Sequence, residues 1–75
     1  MSRTEETINK AFVYHAPKPD QIPRYNKIRE KARELAVLIN ELCPESREKS
    51  AAITNLQTAN MMANAAIACN EVEDE

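Results

Sequence analysis

Residues 25–42 read Tyr25-Asn26-Lys27-Ile28-Arg29-Glu30-Lys31-Ala32-Arg33-Glu34-Leu35-Ala36-Val37-Leu38-Ile39-Asn40-Glu41-Leu42. Tyr25, Ile28, Ala32, Leu35, Ile39 and Leu42 follow one another at spacings of 3, 4, 3, 4 and 3. That is a heptad-type seam on one face of a helix, and it demands a partner helix. A second line of residues runs beside it. Arg24, Lys27 and Lys31 fall at i, i+3 and i+7 and project from neighbouring angles, so the first half of the helix carries a basic stripe. The stripe turns acidic at Glu34 and Glu41.

The residues around this stretch set the helix ends. Asp20 is the expected N-cap, with Pro23 in the first turn, where its missing N–H costs nothing. Cys43-Pro44-Glu45-Ser46 ends the helix, and Ser46 is the expected N-cap of the next one, with Glu48 near its positive end. Ile53, Leu56, Asn60, Ala63, Ile67 and Asn70 continue the seam spacing, so helices are expected over about 21–42 and 47–71. A four-residue break between two long helices predicts an antiparallel hairpin. The acidic end, Val72 to Glu75, is expected to fray.

Upstream, Thr4, Glu5, Glu6, Ile8, Ala11 and Phe12 suit a short helix with an acidic start, although Thr4 heads no capping box. Phe12 to Pro23 is irregular. Pro17, Pro19 and Pro23 fix their own φ and push Ala16, Lys18 and Ile22 towards extended backbone. The outcome is an N-terminal arm, 1–20, ending in a stiff connector that carries Tyr14, His15 and Lys18. The fold class is all-α, a short N-terminal helix and an antiparallel two-helix hairpin within one domain.

Composition narrows the chemistry. The chain has 75 residues and no glycine, so neither a phosphate-binding glycine loop nor a glycine-dependent hairpin turn is present. One His and two Cys make no zinc site of usual spacing. A core this small needs a staple, and association with other copies is the one left. The alanine-rich second helix offers thin surface on more than one side, which fits a homo-oligomer.

Net charge is −2, but residues 1–33 hold eight Lys/Arg against four Asp/Glu, a net of +4, and residues 34–75 net −6. Local positive charge on an acidic protein suits a small anion rather than a long nucleic acid. No segment is apolar enough to span a bilayer, and the first ten residues are charged with no apolar run, so a cytoplasmic location with no membrane partner is expected.

Each candidate residue has a plain role beside its functional one. Arg24, Lys27 and Lys31 could hold phosphates. On the stripe alone a solvated face with local pairs, such as Lys27 with Glu30 or Lys31 with Glu34, is the better reading. The stripe gains weight because Tyr14, His15 and Lys18 feed into the same helix end: an aromatic face for a base and charge for a phosphate. Tyr14 is either that stacking face or a staple for the arm, with Phe12 the better staple. His15 is mainly a turn or interface residue and stays in the ligand-binding set beside Lys18. Asn60 fixes register at an interface, whereas Asn64 and Asn70 are open between that role and base contact. Cys43 and Cys69 lie at opposite ends of a hairpin about 35 Å long, which excludes a bridge within one chain. No nucleophile with a base, no credible acid–base pair and no metal cluster argue for an enzyme, and no cofactor is expected.

Three segments resemble a known family: Tyr14-His15-Ala16-Pro17-Lys18-Pro19, Cys43-Pro44-Glu45-Ser46-Arg47-Glu48-Lys49-Ser50 and Ala63-Asn64-Ala65-Ala66-Ile67-Ala68. They are similar, in order and over about residues 12–71, to small hairpin-domain proteins of bacteriophages that include the anti-CBASS sponges. The resemblance implies a homohexamer that binds cyclic dinucleotides between subunits and, in some members, cyclic trinucleotides in separate pockets, without cleaving them. It maps the stacking tyrosine onto Tyr14 and a phosphate-binding lysine onto Lys27 or Lys31. Two positions depart from the family pattern: Met62 stands near a frequent Trp and Cys69 near a frequent Arg, so an Arg serving the trinucleotide pocket has no counterpart here. The rival reading is an oligomeric helical module that binds a protein partner through an Ala/Met face around Met61 and Met62.

Overall fold

The computed structural model describes residues 2–71. Those residues form three helices, α1 (Arg3–Phe12), α2 (Gln21–Leu42) and α3 (Arg47–Asn70), and no strand. The expected fraying over Val72 to Glu75 lies outside the described residues.

Each helix start has its own solution. α1 is capped by Ser2, whose Oγ accepts from the Glu5 N–H at 3.1 Å. α3 begins at Ser46 as expected. Its Oγ accepts from the Lys49 N–H at 3.1 Å, while its hydroxyl donates to the Pro44 carbonyl at 3.1 Å. α2 departs from the expected cap. Asp20 has helical rather than extended backbone (φ −75°, ψ −17°), and its side chain makes no capping bond. The Gln21 and Ile22 N–H groups donate instead to the Lys18 carbonyl, and the Gln21 Oε1 accepts from the Lys18 N–H at 2.9 Å. Proline on both sides of Lys18 sets that turn, so Asp20 is left to pair with Arg24, at 3.8 Å.

Packing follows from pairing two helices and no more. α2 contacts α3, and α1 contacts α3, near its C-terminal half. Along α2 the half-buried line is Tyr25, Ile28, Ala32, Ala36 and Ile39. Two members of the expected seam are out of it, Leu35 at 45 % exposure and Leu42 at 72 %. One partner helix covers a line about one side chain wide, and Ala36 rather than Leu35 lets α3 approach. Along α3, Ile53, Leu56, Asn60, Ala63 and Ile67 are half-buried as the spacing predicts, whereas Asn70 is exposed and donates back to the Ala66 carbonyl at 3.0 Å.

No apolar residue is fully buried among the described residues; the buried ones are Gln21 and Lys49. Phe12, expected to staple the arm, is 84 % exposed and packs no interior. The molecule is a slab of 50 × 29 × 13 Å.

Candidate functional site

Three places gather the candidate residues. The first is an open groove of about 510 Å³ between α2 and α3. Lys27 and Lys31, one turn apart, lie along it beside Ile28, Leu35, Leu56 and Ala63. Its floor is almost wholly apolar, because this is the flank of the seam that α3 leaves uncovered. Lys31 pairs with Glu34 at 3.2 Å, both side chains more than half exposed, so this pair holds the lysine only weakly. Lys27 has no ion pair among the described residues.

The second place is a hollow of about 410 Å³ lined by His15, Pro17, Tyr25, Arg29, Asn64, Ala65 and Ala68. His15 is held there by α1. Its Nε2–H donates to the Lys10 carbonyl at 3.0 Å, one of the carbonyls the helix end leaves unpaired. That bond leaves Nδ1 directed elsewhere and fixes the ring as a turn residue. Arg29, which donates to the Asn26 Oδ1 at 2.7 Å, was not singled out by sequence reasoning. The signal was present, since Arg29 stands one turn after Tyr25 on the same face. The Oδ1 atoms of Asn60 and Asn64 are both buried without a hydrogen-bond partner in the chain.

The third place ties the connector to the end of α3. Arg24 donates through both terminal nitrogens to the Glu71 carboxylate, Lys18 Nζ donates to the Glu71 carbonyl at 2.6 Å, and Gln21 Nε2 donates to Glu71 Oε1 at 3.3 Å. Hydrogen bonds from Arg24 and then Gln21 hold the Glu71 carboxyl below its ordinary pKa, and Glu71 in turn raises that of Arg24. A carboxylate at a helix C-terminus opposes the macrodipole, so these cations compensate a local cost. Sequence reasoning missed Glu71, although its lack of a basic residue three or four positions back was a signal that its partner is distant.

Tyr14 lines neither groove. It is 84 % exposed, which removes the staple as its role within one chain. Of the six candidates, the structure brings Lys27 and Lys31 together, commits Lys18 and Arg24 to Glu71, and leaves Tyr14 outward beside a fixed His15.

No helix of the described residues is long and apolar enough to cross a membrane, and none of their His, Cys, Asp or Glu side chains cluster to hold a metal. The family model described as "Acb2/Tad1, hairpin domain" matches residues 4–68, a span that holds Tyr14, Lys27 and Lys31. Comparison with the curated proteins and with the solved structures gives no match.

Proposed function

Because the chain belongs to the Acb2/Tad1 hairpin-domain family, whose members are anti-CBASS sponges for cyclic nucleotides, we propose that it captures a cyclic dinucleotide immune signal in the host cytosol and holds it uncleaved. The family match over most of the chain carries this reading. In it α2 and α3 form an antiparallel hairpin, supported by the pairing of Arg24, near the start of α2, with Glu71, just past the end of α3. Copies assemble as a homohexamer, in which the apolar groove and the exposed Leu35, Leu42, Met61 and Met62 find cover.

The ligand's two-fold symmetry matches an interface two-fold, with each half meeting the same residues from one of two subunits. Tyr14 supplies a π-face to a base. It is exposed, yet its backbone is stiffened by proline and anchored by His15, so little ordering entropy is lost on binding. Lys27 or Lys31 meets the phosphate, and a second subunit closing over the open apolar groove excludes water and strengthens that contact.

Titration calorimetry against a panel of cyclic dinucleotides, with cyclic trinucleotides in a parallel arm, tests the proposal. Tyr14→Ala loses base stacking of about 1–3 kcal/mol, roughly 5- to 150-fold in affinity. Lys27→Ala or Lys31→Ala weakens binding and lowers its salt slope by about 1, one of them far more than the other. If all three bind like wild type, the site is elsewhere. If wild type binds no cyclic oligonucleotide, the interaction-module reading replaces the sponge.

A further inference from the structure

The connector with Tyr14 is fastened at two points. His15 bonds back to α1, and Lys18 is held through its N–H by the Gln21 Oε1 at 2.9 Å and through its Nζ by the Glu71 carbonyl at 2.6 Å. Gln21 is the hinge of the second fastening. It is 3 % exposed, with its oxygen on the connector and its nitrogen on the Glu71 carboxylate. The same carboxylate takes both terminal nitrogens of Arg24. Glu71 thus joins three residues of the connector and of α2 to the end of α3, across 47 to 53 positions of sequence.

We infer that Glu71 is a positioning residue: it withdraws Lys18 and Arg24 from the phosphate-binding set and clamps the Tyr14 connector against the end of α3. The ligand-contacting half of this inference rests on the sponge reading; the clamp does not. Arg24 already spends its terminal nitrogens on a bidentate carboxylate and Lys18 Nζ bonds a backbone carbonyl, so both have fewer donors to offer a phosphate, and the salt dependence of binding belongs to Lys27 and Lys31. Lys18 and Arg24, basic residues beside the stacking tyrosine, then act by fixing where that tyrosine stands.

Two measurements on the full chain test this, with wild type, Glu71→Ala and Arg24→Ala. Hydrogen exchange of the Lys18 amide, read by NMR, needs no ligand. Removing the carboxylate frees Gln21, so exchange at Lys18 rises roughly 2- to 12-fold in Glu71→Ala. Calorimetry with cyclic GMP–AMP at several salt concentrations reads the second effect. Both variants weaken binding by roughly 2- to 12-fold, the cost of ordering a loosened connector, and both keep the wild-type salt slope. The double variant Glu71→Ala/Arg24→Ala is no weaker than the worse single one, because both break the same contact.

Three results overturn the inference. Tighter binding with a steeper salt slope in Glu71→Ala would make Glu71 a competitor of the phosphate. A slope reduced by about 1 in Arg24→Ala would make Arg24 a phosphate ligand. Unchanged exchange at Lys18 would remove the clamp. A wild type that binds no cyclic dinucleotide overturns the ligand half together with the sponge reading, and the exchange measurement still decides the clamp.

Discussion

Dilution is the sharpest test of how this chain stays folded. A compact monomer of 8.5 kDa exposes about 4,650 Å². This chain exposes 6304 Å², with a radius of gyration of 15.8 Å where about 11.3 Å is usual for its length. The excess of about 1,650 Å² is close to two interfaces of ordinary size per chain. Two interfaces per chain is what a closed assembly larger than a dimer needs. If folding and assembly are one step, tenfold dilution of a hexamer costs five-sixths of about 1.4 kcal/mol, or about 1.2 kcal/mol per chain. For 75 residues the unfolding entropy is about 160 cal/mol/K, so the midpoint falls by about 7 °C per decade of concentration. The same reasoning gives about 4 °C for a dimer and none for a monomer. Differential scanning fluorimetry over two decades of concentration, beside sedimentation velocity, reads the slope and the mass. A midpoint that does not move with concentration, in a species of monomer mass, refutes the reasoning.

Ser46→Ala removes the acceptor for the Lys49 N–H and should cost about 1 kcal/mol in chemical denaturation, whereas Asp20→Ala, which removes no capping bond, should stay within about 0.5 kcal/mol. Acid weakens the clamp in a defined window. The Glu71 carboxyl is held below its ordinary 4.5, so its stabilisation is fully present above that pH and is lost as pH falls through the folded value. Circular dichroism should therefore show part of the acid sensitivity below pH 4.5 missing from Glu71→Gln, and identical acid profiles would count against the clamp. Cys43, exposed just after α2, and Cys69, half-buried in the last turn of α3, are free thiols. Mild oxidation followed by peptide mapping should show no link between them within one chain, and such a link would contradict the antiparallel hairpin proposed above.

Local signals read well where the cause is local. Ser46 caps α3 because the chain must turn after Pro44, and that geometry is written within four residues. Ser2 is equally legible, at the Ser2-to-Glu5 spacing of a capping box, although the sequence reading tests only Thr4 for that role and rejects it. Asp20 misled because its cap competed with a turn built by the two prolines around Lys18. The apolar spacing located both long helices but not which side α3 would cover, since Leu35 and Ala36 each continue a helical stripe and side-chain size decided between them. The basic stripe was legible as three charges; its division into a committed Arg24 and an uncommitted Lys27 was not, because Glu71 lies 47 positions away. Tyr14 reads equally as staple or as stacking face in the sequence, and its 84 % exposure argues only against a staple within one chain.

Of the three helices described, the one made first packs on the one made last. α1 touches α3 and not α2, and the tie between Lys18 and Glu71 spans 53 positions. At about 5–20 residues per second, the ribosome has finished the Tyr14 segment some 3–10 seconds before it supplies Glu71. Through that delay α2 and α3 meet across a short turn, a fast and local event, while the arm has nothing to dock on. The connector is therefore the last part of the three helices' framework to order, and a chain cut off before Glu71 keeps Tyr14 without the contact that ties Lys18, Gln21 and Arg24 to the end of α3.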